Sequence, residues 1–495
     1  MEKRQTFPWS WLAGGATIVV FLVLLAIRLD LFHAVTPVGL PPVAAPEAIQ
    51  AARESWMLIR QRGGPIGYAH RVLSPREGGY YFSDEVFMRI TTLGVVQGLT
   101  LRTRGTLAPD MTLDRFEARL TSNMFQFAVR GVVEERRIVV FTGEGKEERR
   151  HELALKERPH VSANVVGAAL KGGLKAGETK ILEIFDPTSM ATRPVAVSVV
   201  GLERIEISGQ PRNLTRMAVH FMGMKQSAWL DENGRVVREE GLLGIVLEET
   251  DRETARGVLR SDTASGDMTE LASVASNRIL EDPESLHTLR ARLSGVDQKL
   301  FDLHGGRQTL REGVLEIRRE NLDSPVSQTP PLDPQLREAA MRSTPFVQAD
   351  APVIAKTLAS IVSPGDRPVE KSIKIVRFVY GRLEKKPVLS VANAVETLEK
   401  GRGDCTEHAA LTAALGRAAG IPTAIETGLV YQRGRFYYHA WNAFWLSSHG
   451  QWVTADPTFN QFPADVTHIR FVRGEAQEQL DILGLLGKLA IEVLP

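Results

Sequence analysis

The chain contains a single cysteine, Cys405. An unpaired cysteine is either a small buried hydrophobe or a nucleophile, and its neighbours decide which. Here it lies in Gly401-Arg-Gly-Asp-Cys405-Thr-Glu-His408, followed by an alanine-rich run that ends at Gly420 and Pro422. Asp404 is a good N-cap, and Glu407, three residues on, completes a capping box. The pattern predicts a buried helix that begins at Cys405 and stops at Gly420. A free thiol has a pKa of about 8.5 and attacks as the thiolate. The unpaired N–H groups and partial positive charge of a helix N-terminus favour that thiolate, and can later hold an oxyanion. The neighbouring Asp404 carboxylate works against it, so the thiol needs a basic partner.

Two histidines are in contention. His408 is one helical turn from Cys405 and reads first as a packing or helix-surface residue. His439 lies in Arg435-Phe-Tyr-Tyr-His439-Ala-Trp-Asn-Ala-Phe-Trp-Leu446, a predicted strand, and Asp456 ends the next strand-like run, Gln451-Trp-Val-Thr-Ala-Asp456. Alternation puts Tyr437, His439, Trp441, Ala443 and Trp445 on one face. With Ser447 to Gly450 as a four-residue loop, His439 faces Thr458 and Asp456 is its diagonal neighbour. With a two-residue loop, Asp456 lies directly opposite. Either register keeps the pair within hydrogen-bond reach, whereas a five-residue loop separates them. Such a pair suits thiol chemistry: the imidazole takes the thiol proton while a carboxylate fixes its tautomer.

The elements that must position these residues form an α+β domain over 334–495. From Leu336 the apolar spacing is helical, and the strands follow. Upstream, 51–260 reads as one or two large antiparallel sheets, a sandwich or half-barrel. Val86, Met88 and Ile90 alternate with Glu85, Phe87 and Arg89, for example, and turns fall at Gly63-Gly64-Pro65 and Gly78-Gly79. Between them, 261–333 contains a small strand-bearing module and a Pro-rich connector, Pro325 to Pro334. Residues 250–275 are polar enough to be a linker or an exposed helix.

At the N-terminus, Gln5 to Ile27 carries no charge and approaches the roughly 20 apolar residues that span a bilayer. Lys3 and Arg4 precede it, which orients the N-terminus toward the cytoplasm. We read 1–8 as cytoplasmic, 9–28 as a transmembrane signal-anchor and 29–50 as a Pro-rich tether, with the bulk of the chain in the periplasm. No small-x-small site after Ile27 favours the rival, a cleaved signal peptide. Lys and Arg number 60 against 59 Asp and Glu, and this near-zero net charge of +1 argues against a nucleic-acid partner. One cysteine allows no intrachain disulfide and no thiolate metal cluster; neither a metal nor a cofactor is expected.

Gly403-Asp404-Cys405-x-Glu407-His408-Ala409, Ala419-Gly420-Ile421-Pro422, His439-Ala440-Trp441, Trp452 and Asp456-Pro457-Thr458 together resemble the core of the transglutaminase-like superfamily. The resemblance covers Val391 to Phe459. It implies a papain-like fold with Cys405 as nucleophile, His439 as base and Asp456 as orienting acid. Trp441 and Trp452 would be core or site-wall aromatics, and Trp441 and Tyr437 are the expected substrate contacts. The family also implies an oxyanion donor upstream of the cysteine, for which Asn393 is a candidate. The acidic cluster that binds calcium in the animal enzymes has no counterpart here. The expected function is thiol-dependent acyl transfer at amide bonds of a peptide or protein in the cell envelope, hydrolytic rather than cross-linking, at the inner membrane. The alternative is an envelope binding or scaffold protein with an inert domain.

Overall fold

The structure, a computed structural model, describes residues 51–495 except 93, 123–125, 144–147, 222–223, 261–262, 324–330, 387–390, 476–479 and 486. The cytoplasmic segment, signal-anchor and tether expected over 1–50 lie outside the described residues, as does most of the Pro-rich connector. Among the described residues, no helix is long and apolar enough to cross a membrane.

The β-rich region forms one 15-stranded sheet. Its first strand, Arg53–Gln61, pairs with Gly64–Arg76 on one side and with Ile245–Thr250 on the other, so the two ends of the region meet in mid-sheet. From that seam, hairpins lead outward in both directions. The parallel pair His160–Val161 with Thr179–Asp186 is bridged by the short helix Val165–Lys171. Alternation is what commits one face to the core. Leu113–Ser122 buries Phe116 and Ala118 while Arg115, Glu117 and Arg119 face water.

The C-terminal domain has the expected order of helices and then strands. The helices are Pro334–Met341, Pro352–Ile361, Pro368–Arg382, Ala394–Lys400 and Cys405–Ala418. The antiparallel strands are Thr423–Gln432, Arg435–Leu446, Gln451–Ala455 and Ile469–Arg473. The Cys405 helix is central and buried from Glu407 to Arg417. Its alanines and Gly416 let it approach the sheet closely: a Cβ on Gly416 would stand 2.2 Å from the Thr423 hydroxyl and 2.9 Å from the Phe444 ring.

The boundary expected at 333/334 needs correction, because the small module is built into the C-terminal domain. Thr288–Ser294, Val314–Arg318 and Gln308–Arg311 form a four-stranded sheet whose remaining member is Ala490–Val493. Leu289, Leu315 and Ile317 share one apolar cluster with Leu429, Phe436 and Phe471. No local pattern announces such a union, since its partners are far apart in the chain. Polar contacts reinforce it. Arg307 donates to the carbonyls of Ala464, Asp465 and His468 at 2.7–3.1 Å. It also pairs at 3.3 Å with Glu320, which accepts from the Thr454 N–H and hydroxyl.

Both charges of that pair are almost wholly buried, so removing one leaves the other uncompensated. Arg307→Ala is expected to cost about 3–5 kcal/mol, measured from the denaturant midpoint of the C-terminal domain. A loss under about 1 kcal/mol would mean the pair does not brace this loop.

Candidate active site

The thiol begins its helix as the cap requires. Asp404 Oδ1 accepts from the Thr406 N–H at 2.9 Å, and Glu407 Oε2 accepts from the Asp404 N–H at 2.9 Å. Cys405 is half-buried as a residue, but its sulfur lies among protein atoms. Burial is the main influence pushing the thiol pKa up, and Asp404 adds to it. The His439 ring beside the sulfur and the Ala440 backbone pull the other way.

The hairpin has the four-residue loop. Leu446 pairs with Gln451, and the ladder runs to Asn442 opposite Ala455. Asp456 follows the last paired residue, diagonal to His439, and His439 Nε2 donates to its Oδ2 at 2.7 Å. Nδ1 is the ring nitrogen that remains to exchange a proton. Burial by itself would lower the His439 pKa; the Asp456 carboxylate and the sulfur outweigh it and push the ring up to about 10. Phe459 stacks on the imidazole, 5.0 Å between centroids and 9° between planes, which fixes its tilt.

Asp456 itself is wholly buried. Its Oδ1 accepts from the Thr458 and Phe459 N–H groups at 2.7 and 3.1 Å. Its Oδ2 receives a second imidazole, His468 Nε2, at 2.9 Å. Burial would raise this carboxyl, but the two rings hold it far below the usual carboxylate range. His468 is wholly buried too. Burial opposes its charge, yet Asp456 and Asp465 lift it to about 9.

The other expected residues fare differently. His408 is wholly buried, with Nδ1 bonded to the Asp404 carbonyl at 2.6 Å, and burial holds its pKa below the ordinary value. The ring against the thiol is His439. Asn393 is the N-cap of Ala394–Lys400: Oδ1 accepts from the Glu396 N–H and Nδ2 donates to the Glu396 carboxylate. Those bonds leave it as a helix cap, not an oxyanion donor. The substrate contact expected of Trp441 is also corrected. Its ring has 0% exposure and its indole N–H donates to buried Glu426 at 2.9 Å, so it backs the site from the core. Tyr437 shares the His439 face and is half-buried. Sequence reasoning missed Phe459 and His468. For His468 a signal existed: an Asp465-x-Thr467 turn followed by a lone histidine in an apolar run, Val466 to Val472.

The facing atoms of His439, Asp456 and His468 lie within 4.8 Å of one another. The nitrogen–oxygen distances of 2.7 and 2.9 Å are hydrogen-bond lengths, shorter than the separation of about 3.3 Å between neighbouring ligands of a tetrahedral zinc. Cavities of about 430 and 590 Å³ open in the β-rich region, and neither is lined by a residue of this site.

Residues 355–457 match the family described as the transglutaminase-like superfamily. The chain carries a transglutaminase-like domain. The match spans Cys405, His439 and Asp456, and stops short of His468. No curated protein sequence matches the chain. Among solved structures, a candidate cysteine protease of Cytophaga hutchinsonii is similar at 15% identity, over 42% of this chain and 81% of that one, with a TM-score of 0.28. A β-barrel-like protein of Brucella abortus, from a domain family of unknown function, is similar at 14% identity over 41% and 99%, with a TM-score of 0.30. Likeness at that level carries no argument about activity.

The protonation states of the transglutaminase-like site set its stability against pH. Asp456 is depressed, so its contribution is complete above the unfolded value of about 3.9 and is lost as pH falls through the folded value. His439 and His468 are raised, so theirs is complete below about 6.5 and is lost as pH rises toward about 10 and about 9. Unfolding free energy should therefore fall across pH 6.5–10, and Asp456→Asn should flatten that decline. Denaturant midpoints taken at several pH values test this; an unchanged slope in the variant would mean the two rings do not owe their charge to Asp456.

Proposed function

We propose that the transglutaminase-like domain is a thiol-dependent amidase or acyltransferase acting on a peptide or protein. The observation that carries this is the His439–Asp456 pair, bonded at 2.7 Å, next to the Cys405 thiol at the start of its helix. In the reaction, Sγ attacks the amide carbonyl with its proton already held on His439 Nδ1. We place the developing oxyanion at the Cys405 N–H, because the Thr406 and Glu407 N–H groups are bonded to the Asp404 side chain. His439 then gives the proton to the departing amine, leaving a thioester on Cys405. Water, the default acceptor unless a site excludes it, adds to the thioester, releases the acid and restores the thiol; we favour hydrolysis over cross-linking for that reason. Asp456 keeps Nε2 protonated throughout, so one nitrogen always faces the sulfur.

Tyr437, half-buried on the His439 face, is the side chain we assign to substrate contact. The apolar run from Gln5 to Ile27 and the lysine and arginine before it support an anchor in the inner membrane, with the catalytic domain in the periplasm.

A thiol-directed peptide amide probe tests the chemistry. It should label the wild type and leave Cys405→Ala at background. His439→Ala should react about 10²-fold more slowly or worse. Labelling of His439→Ala at the wild-type rate would remove the base from the mechanism.

A further inference from the structure

His468 lies outside both the family match and the three-residue site, yet it shares an atom with it. Asp456 Oδ2 takes one imidazole N–H from His439 at 2.7 Å and another from His468 at 2.9 Å. The other nitrogen of His468 also faces only acceptors, the Asp465 carbonyl and Oδ1, each at 3.2 Å. A carboxylate or a carbonyl cannot donate, so each nitrogen must bring its own proton. The geometry therefore makes His468 an imidazolium. Asp465 is held as its counter-charge by the Thr467 N–H and hydroxyl, at 2.8 and 2.6 Å, and by Gln461 at 3.0 Å.

We infer that His468 is a positioning residue for the thiol chemistry: a fixed cation that takes half of the Asp456 carboxylate and so limits how tightly His439 holds its proton. Two effects act in the same direction. Oδ2 divides its negative charge between two rings, and the second ring is itself a cation 5.9 Å from the first. Both disfavour the His439 imidazolium. A base paired with an unshared buried carboxylate would keep its proton too firmly to pass it to the leaving amine.

The remaining charged neighbours do not supply this effect. Asp404 lies beside the thiol and Arg307 is engaged with Glu320 and with backbone carbonyls, those of Asp465 and His468 included. Trp441, edge-on to His468 at 5.1 Å, is uncharged, and Glu426 behind it is neutralised by Arg470 and Arg473.

This inference rests on the proposed function, and the test separates the two. His468→Gln keeps a donor to Oδ2 and removes the charge. The pH dependence of Cys405 alkylation by iodoacetamide is compared in the wild type, His468→Gln and His439→Gln. The alkaline limb, where His439 loses its proton, should move up by roughly 0.5–1 pH unit in His468→Gln. A limb that stays or moves down overturns the inference while leaving the base assignment intact. If His439→Gln has the wild-type profile, the base assignment itself fails. Should His468→Gln not fold, ¹⁵N-histidine spectra of the full wild-type chain decide: both His468 nitrogens should be protonated at pH 7, and a neutral ring overturns the inference.

Discussion

The site is organised around the two oxygens of one buried carboxylate. Asp456 accepts from two backbone N–H groups on one oxygen and from two imidazoles on the other. An ionised carboxylate in an apolar interior would be very costly without such donors, and with all four it becomes a rigid point. His439 takes its orientation from that point, beside the sulfur of Cys405. The capped helix and the strand hairpin are the means of bringing the sulfur, the ring and the carboxylate to one place.

The carboxylate is in turn held by a loop between Ala455 and Ile469 that has no helix or strand and closes on itself through one bridge, Asp456 with Gln461. Its backbone is fixed from outside by Arg307 on three carbonyls, and Glu320 holds Thr454 in the strand that leads into it. Gln308 adds two bonds to the backbone of Arg470, 162 residues away in sequence. The small module, whose strands look like a separate unit along the chain, is thus the outer support of the acid. Polar groups are buried at this seam because each has a partner across it.

What could be read from the sequence was what local rules govern. The cap at Asp404 and Glu407 fixed the start of the Cys405 helix, and alternation with a short loop brought His439 and Asp456 to one face. Alternation gives a side of the sheet but not what covers it, so it left Trp441 open as core or site wall, and the substrate contact expected of it gave way to core. It also could not say how many strands the β-rich region joins into one sheet. His468 reaches Asp456 through a loop with no period, and Asn393 shows its capping bonds only once Ala394–Lys400 is seen to be a helix. The union of 288–318 with 464–493 depends on contacts that no window along the chain contains.

That union bears on how the chemistry can be moved. A cassette cut to the segment shared with the superfamily, 355–457, would retain Cys405, His439 and Asp456 but discard the His468 ring, the Arg307 guanidinium and Glu320, which brace that carboxylate and the loop around it. In recombination, natural or engineered, the heritable unit of this site is therefore larger than its signature. Its borders follow the brace around the carboxylate rather than the motif that announces the thiol.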